Sequence, residues 1–189
     1  MSNEFQEYLK TFDKNRVVSI YCDPESISKF SAGFIGLLTN NEVLIKHVTS
    51  LGAYDGYAVI KIGNILRIDS HGIYEKKLEM LYRTQKAKHP ENIGPNDRDI
   101  SSNLFFEMLR ISKQKRFVIS TSIDISNQES ITGFVKEINK KAAIIDRLTI
   151  DGFSDGETII EIKDIEKMYC DAEDDRTLGF LNDLRKKEK

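Results

Sequence analysis

The residues of this 189-residue chain whose types and spacing could do chemistry are three histidines, two cysteines, an acidic run and two short basic clusters. His47, His71 and His89 each stand without a second His or Cys at metal-ligand spacing, so no metal site is expected. Cys22 and Cys170 lack Cys-x-x-Cys spacing, and two thiols in so long a chain argue against a disulfide framework and for a reducing cytoplasm. The run Asp171, Glu173, Asp174, Asp175 could hold a cation, but carboxylates also complement a helix N-terminus, and they are read as capping the last helix. Lys113, Lys115 and Arg116 form one basic cluster and Arg185, Lys186 and Lys187 another; both could meet phosphate, and both fall at predicted helix ends, where cations complement the dipole. No Gly-rich phosphate loop, nucleophile elbow or kinase-like signature occurs. The expectation is a non-catalytic protein with no catalytic residue, no cofactor and no metal.

Composition narrows the partners. With 28 basic against 30 acidic side chains the formal charge is −2, and the cations divide almost evenly between the two halves, so neither half is a basic arm. Hydrophobic residues at 40% and charged residues at 31% are ordinary for a globular chain. No apolar run approaches the ~20 residues that cross a bilayer, and the polar, acidic start is unlike a secretory signal. No membrane partner is expected.

The elements that must position these residues come in two copies. Shifting the chain on itself by about 100 residues superimposes Arg16 on Arg116 and Val18 on Val118. Gly33-Phe34 then meets Gly133-Phe134, and Gly52, Asp55 and Gly56 meet Gly152, Asp155 and Gly156. Ile60, Ile62 and Ile65 meet Ile160, Ile162 and Ile165. Glycines and apolar residues matching together indicate an internal duplication. The expected units are residues 1–85 and 101–189, joined by a linker over 86–100 that holds two of the three prolines.

Each copy opens on a helix, with Asn3 or Asn103 at the N-cap and Phe5, Tyr8, Leu9 and Phe12 at helical spacing. Five short β-branched runs follow, in the first copy Val17–Tyr21, Ser31–Leu38, Val43–Val48, Tyr57–Ile62 and Ile65–Ile68. Gly33 and Gly133 inside the second run mark a sharp bend or a close backbone approach, and Asp55-Gly56 and Asp155-Gly156 read as hairpin turns. A closing helix ends each copy. Five short bent strands per unit favour closure, so the expected fold is mainly β with α: two tandem, small, five-stranded antiparallel barrels, each with an N-terminal and a closing helix.

Two stretches carry a family resemblance. Gly33-Phe34-Ile35 and Gly133-Phe134-Val135 look like the glycine-centred strand of the first Sm motif, and Ile60-Lys61-Ile62-Gly63-Asn64-Ile65 is similar to the second. Over about 55 residues of each copy the chain resembles the Sm-like (LSm, Hfq-type) barrel proteins of bacterial type. That resemblance implies barrels that join edge to edge through their fourth and fifth strands, and RNA binding. The family's uridine-reading Asp and Asn fall here on Thr39 and Val43, or Asn139 and Ala143, and its Arg on Lys61 or Glu161. What remains for RNA is Lys61 and Asn64, with Lys113, Lys115 and Arg116 for phosphate. The expected function is an interaction or assembly module that binds itself or a protein partner, with RNA binding as the alternative.

Overall fold

The computed structural model describes residues 4–26, 28–86, 88–90, 103–124 and 130–187. Asn3 and most of the linker, 87 and 91–100, lie outside the described residues. The first repeat runs α1 (Glu4–Thr11), β1 (Val17–Tyr21), β2 (Phe30–Leu38), β3 (Glu42–Val48), β4 (Tyr54–Lys61), a 3₁₀ turn (Ile62–Asn64), β5 (Arg67–Ser70) and α2 (Ile73–Thr84). The second runs α3 (Leu104–Lys115), β6 (Val118–Ser122), β7 (Ile131–Ile138), β8 (Ala142–Leu148), β9 (Ser154–Glu161), a 3₁₀ turn (Ile162–Asp164), β10 (Lys167–Cys170) and α4 (Glu173–Lys187).

Element for element the two repeats agree, but they are not two barrels. All ten strands form one open antiparallel sheet in the order β5-β1-β2-β3-β4-β10-β6-β7-β8-β9. The expectation of two closed five-stranded barrels is overturned by the pairing of β4 and β10. A strand has two edges, and β4 gives its own to β3 and β10, so it cannot also close on β5. Likewise β10 lies between β4 and β6 and is unavailable to β9. Among the described residues two outer edges stay open, β5 at one end and β9 at the other.

The hairpin turns also sit elsewhere than the Asp-Gly pairs suggest. The β3–β4 turn is Thr49–Ala53, closed by Thr49 N–H on the Ala53 carbonyl at 3.0 Å, with Gly52 at φ +69°. Asp55-Gly56 lies inside β4 as a bulge: Lys46 pairs with Tyr57 and Val48 with Tyr54, so two residues of β4 oppose His47 alone. Asp155-Gly156 does the same opposite Arg147. At Gly33 and Gly133 the neighbouring strand comes close: a Cβ there would overlap the carbonyl of Lys46 or Asp146, while the register shifts of β2 and β7 fall two residues further on, between Ile35 and Leu37 and between Val135 and Glu137.

The interior of the first repeat gathers Leu9, Val18, Ile20, Ile35, Ile45 and Ile60 beneath α1. The second core is larger because α3 lies over the junction. Its Leu104, Phe105 and Met108 share one cluster with Leu37, Leu44, Tyr57 and Val59 of the first repeat and Ile119, Met168 and Cys170 of the second. Asn103 caps α3 as expected, its Oδ1 accepting the Phe106 N–H at 2.8 Å. No helix among the described residues is long and apolar enough to cross a membrane.

Candidate functional site

The junction between the repeats is where the chain concentrates its specific contacts, and it is built from an alternating strand upward. Along β4, Tyr57 and Val59 face α3, while Ala58 and Ile60 face the interior of the first repeat; all four are buried. Lys167, Met168, Tyr169 and Cys170 pair with Ile60, Val59, Ala58 and Tyr57, and the Lys61 N–H adds a bond to the Glu166 carbonyl at 3.2 Å. Burying each large apolar side chain here contributes about 1.5–3 kcal/mol.

Polar contacts fix the register. Tyr169 reaches across to Ser31 with hydroxyls 2.9 Å apart, and its ring meets that of His47 at 5.4 Å. His47 is half-buried and holds Asp55 at 2.9 Å, while Asp55 also accepts the Glu173 N–H at 2.8 Å. Burial raises the Asp55 carboxyl pKa, but the His47 and Glu173 hydrogen bonds outweigh it and leave a net lowering. The Tyr54 hydroxyl donates to Asp171. The α3 N-terminus rests on Glu42, whose carboxylate accepts the Leu104 N–H.

The described end of the linker closes one side. His89 is buried among Tyr54, Tyr57 and Tyr82, with ring centroids 4.7, 5.4 and 5.6 Å away. Its Nε2 donates to the Gly56 carbonyl at 2.9 Å, which leaves Nδ1 to accept the Tyr82 hydroxyl, also at 2.9 Å. Burial pushes its pKa down to about 4. Burial acts on both thiols as well, raising Cys22 to about 11 and Cys170 to about 12, away from the thiolate. The acidic run caps α4 as expected, Asp175 accepting the Ala172 N–H at 3.2 Å.

The residues singled out for RNA are drawn into this junction or away from it. Lys61 donates to the Lys163 carbonyl at 2.7 Å and to Glu166 at 2.8 Å, and Asn64 donates to the other Glu166 oxygen. Both line a polar cleft of about 640 Å³ with Gln6, Asn40, Asn41 and Lys163, but their donors already have protein acceptors. Lys113, Lys115 and Arg116 sit at the far end of α3, roughly 16 Å of helix from the end that meets Glu42. Arg116, in the left-handed region at φ 57°, pairs with Asp183 at 2.9 Å and lies over the Phe134 ring. The structure therefore does not assemble the five residues into one surface.

Glu166, Glu42 and His89 were not legible as site residues. Their signal is disagreement between the copies, since Glu166 answers to Leu66 and Glu42 to Ala142. Comparison of the chain with family models, with curated proteins and with solved structures finds no match.

Proposed function

We propose that the chain is a non-catalytic interaction module that binds protein by adding a partner's strand to the open edges of its sheet. The observation that carries this reading is the β4–β10 junction: the chain already uses one repeat's fourth-strand edge to capture another repeat's fifth strand. Among the described residues, the same two kinds of edge stand unpaired at β9 and β5. An unpaired edge is a ready template for another chain unless it is blunted, and neither strand contains proline. Buried free thiols suit a cytoplasmic setting. RNA binding remains the alternative, and it would have to draw on Lys140, Lys141 and Lys163 rather than on Lys61 and Asn64.

The test uses one edge substitution. In the second repeat the Ile162 N–H bonds the Lys141 carbonyl within the sheet, so by the two-residue period the N–H groups of Glu157, Ile159 and Glu161 point outward. Ile159→Pro removes an outward donor while sparing the ladder to β8. Immobilised wild-type protein and this variant are exposed to cytosolic extract with and without RNase. Protein retained by the wild type after RNase and lost by the variant is the expected result. Retained RNA that the variant binds equally well would replace this reading with the RNA alternative.

A further inference from the structure

The internal junction can be carried forward by one repeat, because each element that forms it occurs again and, among the described residues, no strand pairs with the outer edge of β9 or of β5. Adding 100 to the β4 positions and subtracting 100 from those of β10 pairs β9 with β5: Ile160 with Arg67, Ile159 with Ile68, Thr158 with Asp69 and Glu157 with Ser70. The backbone is already shaped for this. Asp171, which ends β10, has φ 58°, and its counterpart His71, which ends β5, has φ 60°. At Gly56 a Cβ would run into the Cys170 and Asp171 carbonyls of the adjoining strand, whereas at Gly156, with φ +76°, it would meet open space. Among the described residues, nothing takes beside β9 the room that β10 fills beside β4.

The side chains follow suit at the centre and change at the rim. Four apolar residues of the junction are Val59, Met168, Leu44 and Met108, each at 2% exposure or less. Their counterparts are Ile159, Ile68, Ile144 and Tyr8: all four still carry large apolar or aromatic side chains, yet Ile159 is 70% and Tyr8 41% exposed. The cleft of about 860 Å³ beside β9, lined by Ile159, Ile123, Lys140 and Lys141, lies at the counterpart of the surface on which α3 rests. The outer face of α1 offers Glu4, Glu7 and Tyr8 in the matching place, with carboxylates to meet those lysines.

One pair of substitutions between the copies is complementary. Tyr169 meets His47 edge to face across the internal junction, and the equivalents are Asp69 and Arg147. An aromatic contact within the chain thus becomes an opposite-charge contact between chains. Within the chain Asp69 is held by Arg67 at 2.6 Å and Arg147 by Asp155 at 3.1 Å.

We propose that the β9 edge of one molecule receives β5 and α1 of a second copy of this chain, head to tail, by repeating the internal junction with a charged rim. This rests on the edge-binding reading above and names its partner. Such a contact is heterologous, so it closes into a ring or runs on as a filament according to the rotation between repeats. Replacing Tyr57 and Leu37 with Glu157 and Glu137 makes it weaker than the internal junction, reversible and salt-sensitive.

The experiment is sedimentation of the purified full chain over a wide concentration range at low and high salt, for the wild type, Asp69→Arg and Arg147→Asp. The wild type associates as concentration rises and dissociates with salt. Each variant alone sets like charges opposite each other and associates at least about tenfold more weakly. An equimolar mixture of the two restores association, because every junction then joins opposite charges; restoration also shows that both variants fold. A wild type that stays monomeric throughout, or variants that associate unchanged, or a mixture that fails to recover, each overturns the proposal. A monomeric chain that still loses a different protein partner on Ile159→Pro would refute this partner and leave the edge-binding reading standing.

Discussion

β4 and β9 occupy the same place in two copies of one design and live in opposite surroundings. In β4 the run Tyr57, Ala58, Val59, Ile60 is buried on both faces; in β9 only Ile160 of the corresponding run is buried. The difference lies in the neighbours, since β4 has β10 along its edge and α3 over its outer face while β9 has neither. Sequence has diverged to match. Where β4 presents Tyr57, β9 carries Glu157, paired with Lys136; where Glu42 receives the α3 N-terminus, the second repeat has Ala142. Positions that agree between the copies describe the repeat, and positions that disagree describe where the repeats meet.

The largest expected effect tests what the two copies share. Gly33→Val and Gly133→Val each place a branched side chain against the carbonyl of the neighbouring strand, at Lys46 and Asp146. Each should destabilise the protein by more than about 4 kcal/mol, seen as a fall in the denaturant midpoint. Because the sheet is continuous, such a clash in either repeat should unfold both in one transition. Two separate transitions would mean that the junction does not couple them.

The next effect separates the copies. Gly56 and Gly156 both sit at positive φ in a bulge, so Ala at either is strained by about 1 kcal/mol. Only at Gly56 does the added Cβ also strike the carbonyls of Cys170 and Asp171. Gly56→Ala should therefore cost about 3 kcal/mol and Gly156→Ala about 1 in thermal unfolding. Equal losses would show that the β4–β10 edge yields to the methyl group, and the contrast between a filled and a free edge would fall.

These comparisons also mark how far the sequence could be read. Local patterns placed the helices and all ten strands to within a few residues, because β-branched runs and apolar spacing act over short range. They also marked Gly33 and Gly133, where the neighbouring backbone leaves no room for a Cβ. They misplaced the hairpin turns, since Asp-Gly serves equally for a bulge, and the Gly52 and Gly152 turns carried the quieter signal. Closure was misjudged for a different reason: whether β4 pairs with β5 or β10 depends on contacts about 100 residues apart that no local window contains. The same holds for Lys61 and Asn64, which look like free donors until Glu166 comes to them from the other repeat.

The smallest effects come from acid titration and set the junction against the second repeat. His89, neutral at the junction with its pKa lowered by burial to about 4 against the usual 6.5, takes its proton in the unfolded chain before the folded one. Stability therefore falls as pH drops through 6.5 toward 4. Asp175, in α4, has its carboxyl raised by burial to about 6 from the usual 3.8, so the folded state binds the proton first and gains stability over nearly the same range. The two trends oppose each other in the wild type, and substitution should expose them. His89→Gln, which keeps a donor for the Gly56 carbonyl, should gain about 2 kcal/mol relative to wild type between pH 7 and pH 5. Asp175→Asn should lose about 1 kcal/mol over the same interval. Melting curves at the two pH values measure both. If His89→Gln tracked the wild type, the histidine would be reaching water in the folded state, and the end of the linker would not be locked onto the junction that distinguishes β4 from β9.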